Sequence, residues 1–376
     1  MTNILENLFR INCKNKNINL SSGNPAWNGP EFLFKSSADM MNKMASEHDS
    51  IGGDISRYNS SSGEEQFKKE MRDFFIETLN CSSKNRSQKN VVFANGVTHL
   101  WSCFLELIKD KESDKFRGKT PVILFPSMTY GIHTESATRA GFEVCGIPIS
   151  SETGFHLQAS DLEHAICEIE KDKTKKVVCI KIDDPHNPSG AVLNKNDIEK
   201  ITAVCRKHKI RIFNDLAYCG LEYDDNKVFP FATLGDARAI TFTAVSLSKT
   251  AGAPGLRAGA GFGETNDVNF ISKKISNDMC TSSIIAQQCC ADYFSPRNAD
   301  LREKYLTKIR AWYSTRSKMF QASILGKDSI NWTPFELDYL ETVIETLEYY
   351  YADDVKNALK HGTDHIKFRF KISLEW

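Results

Sequence analysis

Lys249 is the residue whose setting points most directly to covalent chemistry. It ends the sequence Ser-Leu-Ser-Lys at 246–249, which follows a predicted strand and precedes a glycine-rich turn leading to Arg257. A lysine held at a strand end can lose its water shell, which lowers its pKa and leaves a neutral amine able to form a Schiff base. The hydroxyls of Ser246 and Ser248 and the guanidinium of Arg257 would suit a phosphate group. A lysine that points into solvent is the alternative.

A second set of polar residues, 184–190, lies directly after the strand predicted over 176–182. It combines two prolines with Asn187 and Gly190, a composition typical of a rigid turn that can hold a cis X–Pro bond. The turn would lie at the carboxyl edge of the sheet, where α/β proteins bind ligands. An ordinary loop is the alternative, because these residue types are common in turns.

A third set ends the strand predicted over 210–214. Asp215 could keep a heterocyclic nitrogen protonated, and Tyr218 follows three residues later, within reach of the same ligand. Taken alone, an aspartate that ends a strand is more often a helix cap. Asn187, Asp215 and Lys249 are separated by 28 and 34 residues, so we expect each to end a consecutive strand of one sheet.

The elements that must position these residues are seven β-rich runs that alternate with segments of helical period. The predicted strands are 91–94, 121–125, 142–149, 176–182, 210–214, 240–246 and 258–262, and the predicted helices include 98–108, 161–170 and 196–208. This alternation is typical of an α/β fold with a mostly parallel seven-stranded sheet covered by helices.

The two ends of the chain have different patterns. Residues before about 50 are rich in turn formers, whereas residues after about 268 are helix-like until an alternating stretch at 366–374. We therefore predict a large domain over residues 51–290. A smaller α+β domain would combine residues 1–50 with residues 291–376.

Composition limits the class of protein. The 376 residues exceed a single small domain, and 48 Lys plus Arg balance 48 Asp plus Glu, which gives no global attraction to nucleic acid or membranes. No stretch approaches the ~18 consecutive apolar residues of a membrane span. No secretory signal is evident at the start, so a cytoplasmic location is expected. The eleven cysteines are scattered and show no metal-binding spacing, so we expect reduced thiols.

The three polar sets together resemble the motifs of the class I and II aminotransferases, which are fold type I pyridoxal-phosphate enzymes. The family motifs read N-P-x-G, D-x-x-Y and S-x-S-K followed by an arginine, and here they occupy 187–190, 215–218 and 246–249 with Arg257. The resemblance covers roughly residues 20 to 265. It implies an enzyme of amino-acid metabolism or biosynthesis that transfers an amino group between an amino acid and a 2-oxo acid, with pyridoxal 5′-phosphate as cofactor.

The resemblance also implies a role for each residue. Lys249 would hold the cofactor as an internal aldimine and move a proton during catalysis, while Asp215 would keep the pyridine nitrogen protonated. Asn187 and Tyr218 would hydrogen-bond the phenolic oxygen of the cofactor. The phosphate would be bound by Gly96, Val97, Thr98, Ser246, Ser248 and Arg257. No metal is needed.

Two tyrosines complete the implied cofactor site. Tyr130 matches the aromatic residue that stacks on the pyridine ring, with a core tyrosine as the alternative. Tyr58 resembles the tyrosine that reaches the phosphate bound by the neighbouring subunit. Its presence implies a homodimer with shared active sites.

The resemblance does not single out one residue that binds the substrate carboxylate. Family members usually clamp it with an arginine in a late strand, and this chain offers Lys371 in direct register and Arg369 two residues earlier. Their spacing of two puts both on one face of a strand, and the bidentate guanidinium favours Arg369. Gly23 matches the N-terminal glycine near the substrate, which Asn187 would also contact.

The small domain departs from the family pattern. It looks shortened, and the glycine-rich strand that usually closes the pocket is not recognisable near 332–335. A lyase, decarboxylase or oxidase that uses the same cofactor is therefore an alternative function. A non-catalytic binding protein of the same fold is a further alternative, against which the intact Asp215, Tyr218 and Lys249 argue.

Overall fold

The computed structural model describes residue 25 and residues 29–46, 58–82, 87–111, 113–222 and 227–325. The chain divides into two compact units, one of residues 25–304 and one that combines residues 1–24 with residues 305–376. The described part of the second unit is the helical segment 305–325. The predicted domain boundaries at residues 50 and 290 stay a prediction.

The first unit is built on a seven-stranded sheet. Its strands are β1 (Val91–Ala94), β2 (Thr120–Pro126), β3 (Glu143–Ile147), β4 (Lys175–Asp183), β5 (Arg211–Asp215), β6 (Thr241–Ser246) and β7 (Gly259–Phe262). They lie in the order β1-β7-β6-β5-β4-β2-β3. Only β7 runs antiparallel to its neighbours, β1 and β6, and the remaining pairs are parallel. The predicted α/β fold is confirmed, and every predicted strand end lies within two residues of the observed one.

The described residues also form α-helices. They are α1 (Glu31–Ser46), α2 (Glu65–Asp73), α3 (Val97–Lys111), α4 (Gly131–Arg139), α5 (Ala159–Lys171), α6 (Lys195–His208), α7 (Leu247–Thr250), α8 (Thr265–Met279), α9 (Ile284–Phe294) and α10 (Ala299–Leu325). Asn194 begins α6 with a capping box that includes Asp197, so two backbone N–H groups at that end are satisfied. None of the helices in the described part of the chain is long and apolar enough to cross a membrane.

Two apolar cores cover the two faces of the sheet. Successive strand residues alternate between them, so that Phe213 of β5 packs in one core and its neighbour Ile212 in the other. The first core contains Trp101 and Phe104 of α3. The second core contains residues of α5 and α6 such as Leu162 and Ile201. Because both faces are buried, most residues of the parallel strands are apolar between the strand ends.

Candidate active site

The ends of three strands meet at one edge of the sheet. Ala94 of β1 and Ser246 of β6 both pair with Gly259, the first residue of β7. A Cβ atom on Gly259 would lie 2.9 Å from the Gly96 Cα and 2.9 Å from the Val245 carbonyl oxygen. Glycine at this position therefore lets the turn after β1 approach the segment that carries Lys249.

Lys249 lies on the short helix α7, which begins directly after β6. The Ser246 side chain caps this helix by accepting a hydrogen bond from the Ser248 N–H at 3.1 Å, and it donates to the Ala258 carbonyl at 3.0 Å. The lysine is half-buried. Burial lowers the pKa of Lys249, since the charged ammonium loses solvation.

The turn of residues 95–98 leads from β1 into α3 and faces Arg257. Gly96 has a φ of +83°, and a Cβ atom there would lie 2.9 Å from Arg257 Nη2. The guanidinium is held by donation to the carbonyls of Asn95 and Pro254, each at 3.1 Å. The first N–H groups of α3, at Val97 and Thr98, lie beside this cation at the positive end of the helix. Backbone donors and a guanidinium at one turn form a site suited to an anion.

Asp215 ends β5 and is 5% exposed. Its Oδ1 accepts a hydrogen bond from the Ala217 N–H at 3.1 Å, and its Oδ2 lies 3.0 Å from Lys181 Nζ. Lys181 of β4 is fully buried and also contacts Asp183, which pairs with Asp215 across the two strands. The carboxylate predicted to face a cofactor thus already has a cationic neighbour inside the sheet.

His133 of α4 lies between Asp215 and the 95–98 turn, and its Nδ1 atom has no hydrogen-bond partner among the described residues. Its Nε2 lies 3.3 Å from the Thr98 hydroxyl, and its Nδ1 lies 3.8 Å from Asp215 Oδ2. Burial, together with the charge of Lys181, holds the pKa of His133 well below its usual range. The imidazole is therefore neutral at physiological pH.

Tyr130 lies at the open side of this cluster. Its ring stands almost perpendicular to the His133 ring, with centroids 4.9 Å apart, and it is 38% exposed. Burial raises the pKa of Tyr130, as does Asp215, while Arg257 opposes the shift. The phenol is therefore within electrostatic reach of both Arg257 and Asp215.

Asn187 and Tyr218 lie on the turns that follow β4 and β5, which are adjacent strands. The turn of residues 184–190 contains two cis bonds, Asp184–Pro185 and Asn187–Pro188, and is closed by hydrogen bonds between His186 and residues 190 and 191. Asn187 is partly exposed and Tyr218 half-buried. Both are placed at the same edge as Asp215.

The remaining predicted residues lie elsewhere. Tyr58 is 82% exposed on the surface of the first unit. Gly23, Arg369 and Lys371 lie outside the described residues, as does the segment 332–335. The clamp for the substrate carboxylate therefore stays a prediction.

Sequence reasoning did not identify three residues of the cluster: His133, Lys181 and Asp183. The sequence contained a pattern that could have identified Lys181 and Asp183. A lysine interrupts the apolar run 177–182, and an acid follows two residues later on the same strand face. The signal for His133 was its position three residues after Tyr130 in a helix.

Comparison with known proteins identifies relatives along most of the chain. Residues 15–336 match the family described as aminotransferase class I and II. The aspartate aminotransferase of Bacillus subtilis (strain 168) is 24% identical over 301 residues, which are 79% of this chain and 70% of that protein. The aromatic-amino-acid aminotransferase 2 of Thermococcus litoralis is 24% identical over 242 residues, which are 64% of this chain and 55% of that protein.

Solved structures share the fold. An aspartate aminotransferase from Thermus thermophilus with maleate aligns with a TM-score of 0.71 at 17% identity, over 86% of this chain and 77% of that chain. The predicted fold type is confirmed by this likeness. The family match covers well over half of the sequence, which confirms the predicted enzyme class, amino-group transfer. The chain belongs to the class I and II aminotransferase family.

Proposed function

We propose that this enzyme uses pyridoxal 5′-phosphate, held on Lys249, to transfer an amino group between an amino acid and a 2-oxo acid. The observation that carries the proposal is the meeting of three features at one sheet edge. These are the half-buried Lys249 with its lowered pKa, the buried Asp215, and the turn of Gly96 beside Arg257.

The residues present fit this cofactor. A Cβ atom at Gly96 would lie 2.9 Å from Arg257 Nη2, so glycine lets the guanidinium approach the turn at which the phosphate would bind. The phosphate would contact Arg257, Ser246, Ser248 and the first N–H groups and hydroxyl of residues 96–98. Tyr130 would lie against the pyridine ring, Asn187 and Tyr218 would hydrogen-bond its phenolic oxygen, and Asp215 would face its nitrogen. When bound, the cofactor supplies an electron sink for the substrate carbanion.

Side chains of the protein would transfer the proton and position the reacting groups. The Lys249 amine would take the proton from the substrate α-carbon, because its lowered pKa increases the share of the neutral amine. The neutral His133 would orient the Thr98 hydroxyl and lie beside Asp215 without adding a charge. The turn after β4 would orient Asn187 toward the same space.

The substrate would be clamped by Arg369 or Lys371, with Gly23 close to its carboxylate. Tyr58, with 82% of its surface exposed, is available to reach the site of a second subunit. We therefore propose a homodimer with shared active sites. The cytoplasmic location stays a prediction based on sequence alone.

A panel of amino acids mixed with the cofactor-loaded enzyme tests the proposed reaction. Transamination predicts a 2-oxo acid and conversion of the cofactor to its amine form with the donor alone, and return of the original absorbance when a 2-oxo acid is added. Release of ammonia, carbon dioxide or peroxide, with the cofactor unchanged at the end, would instead identify a lyase, a decarboxylase or an oxidase. Absence of any spectral change across the panel would contradict an activity on amino acids.

A further inference from the structure

Lys181 is a buried charge that lies between two apolar core residues of β4. It is 0% exposed, and its neighbours Ile180 and Ile182 are 0% and 1% exposed in the core. Because side chains two apart share one face of a strand, Lys181 and Asp183 lie side by side. Asp183 is in register with Asp215 on β5, which brings the three charged groups together.

The contacts within this triad of Lys181, Asp183 and Asp215 are direct. Lys181 Nζ contacts Asp183 Oδ1 and lies 3.0 Å from Asp215 Oδ2. The two carboxylates are 6% and 5% exposed. Two carboxylates and one ammonium carry one net negative charge, and the adjacent His133 is neutral.

Such a triad is costly in a core. A buried ion pair is often no more stable than well-packed apolar residues of similar volume, and an uncompensated buried charge is worse. Fold stability alone therefore gives no reason for a lysine at this strand position. One additional positive charge beside Asp215 would balance the triad.

We propose that Lys181 and Asp183 are positioning residues that set the charge Asp215 presents to the cofactor, and that the protonated pyridine nitrogen is the cation that neutralises the triad. This inference rests on the proposed function. Asp183 shares the ammonium of Lys181, so Asp215 keeps its negative charge for the ring nitrogen. With Asp183 removed, Lys181 would neutralise Asp215 by itself.

A bound metal ion is a competing explanation for buried acids. His133, Asp183 and Asp215 offer three ligand atoms within 4.8 Å of one another. The ammonium of Lys181 contacts both carboxylates, however, and so already occupies the cation position between them. We therefore assign the cluster to charge balance with the cofactor.

The test is a pair of variants, of which the first changes the net charge of the triad and the second restores it. Asp183→Asn leaves no net charge in the triad, whereas the double variant Lys181→Met/Asp183→Asn returns it to one negative charge. The measurements are the dissociation constant of pyridoxal phosphate and the ¹⁵N chemical shift of the labelled ring nitrogen. Neither requires turnover.

We expect Asp183→Asn to weaken cofactor binding about tenfold or more and to shift the ring nitrogen toward its unprotonated signal, since coupled buried groups interact on this scale. The double variant should recover most of the affinity and the protonated signal. An analogue with carbon in place of the ring nitrogen is the control, because its binding should not respond to Asp183→Asn.

Two outcomes overturn the inference. One is a double variant that binds the cofactor no better than Asp183→Asn. The other is an equal loss for the cofactor and for the carbon analogue, which would indicate structural damage alone. If Asp183→Asn does not fold, Asp183→Ser has the same charge and takes its place. If the wild-type chain binds no cofactor on Lys249, the proposed function itself is wrong, and the two failures are thus distinguished.

Discussion

At the scale of single residues, the site depends on two lysines in different settings. Lys249 is half-buried at a helix start, and burial lowers its pKa. Lys181 is fully buried, and its pKa is also lowered by burial, although the negative charge of Asp215 opposes the shift. Desolvation therefore lowers the pKa of both amines. Of the two, only Lys249 lies beside the turn that would bind the phosphate.

Borohydride reduction of the cofactor-loaded enzyme, followed by peptide mapping, should label Lys249. The reason is that a partly neutral amine at the open edge can react with the cofactor aldehyde. Lys181→Met is the matched control, because it removes the buried amine beside Asp215 and should leave the label on Lys249. A label on Lys181 would reverse the assignment.

Asp215→Ala should keep the fold and lose most turnover. Removal of a charge-assisted hydrogen bond costs about 1.5–3 kcal/mol, or roughly tenfold to a hundredfold in kcat. Far-UV circular dichroism checks the fold, and kcat with a saturating donor checks the role. Turnover close to that of the wild type would contradict the assignment of Asp215.

At the scale of elements, the turn between β1 and α3 carries several of the proposed cofactor contacts. Its geometry requires glycine twice, at Gly96 for the positive φ and the nearby guanidinium, and at Gly259 for the close approach of the two segments. Helix α3 links this turn to the core, because Trp101 is fully buried and its indole N–H donates to the His133 carbonyl at 3.0 Å.

Gly96→Ala should weaken binding of pyridoxal phosphate, because the added methyl would displace Arg257 as well as strain the backbone. Gly118→Ala is the matched control: its φ is +70°, but a Cβ atom there would meet no atom within 4 Å. Both substitutions should cost about 1–2 kcal/mol of stability from the left-handed backbone. Equal cofactor affinities in the two variants would show that the contact with Arg257 has no role in binding.

Trp101→Ala should reduce the free energy of unfolding by about 3–5 kcal/mol, since it empties a large volume beside Phe104, Phe125 and Phe213. Urea unfolding of the apoprotein measures this loss. A change below about 1 kcal/mol would mean that the site refills by repacking.

The sequence predicted the strands well because alternation and apolar runs depend on local burial. It also placed Asn187, Asp215 and Lys249 at one edge, since their spacing follows the strand order. It did not predict the triad, because Lys181 lies inside an apolar run and its partners come from two strands. That contact depends on the register between β4 and β5, which sequence periodicity does not specify.

At the scale of the whole molecule, the exposed Tyr58 has consequences for assembly. In a shared-site dimer, each site takes Lys249 from one chain and Tyr58 from the other. A mixed dimer of two defective chains would then contain one intact site and one doubly defective site.

Mixing Tyr58→Ala with Lys249→Ala after reversible dissociation should therefore raise activity above that of either variant alone. The intact site combines the Lys249 of one chain with the Tyr58 of the other. Analytical ultracentrifugation verifies that mixed dimers form. Failure of verified mixed dimers to gain activity would place Tyr58 outside the shared site.

The antiparallel β7 has a further consequence for how the chain tolerates changes in length. Because β7 returns beside β6, the lysine-bearing connection is anchored at both ends by the paired Ser246 and Gly259. A single-residue insertion there would move the amine along the sheet edge relative to Asp215, because strand pairing fixes both ends of the connection. The connection from α3 to β2 near Gly118, by contrast, could lengthen without displacing the amine. Insertions and deletions should therefore be excluded from the first segment and accepted in the second.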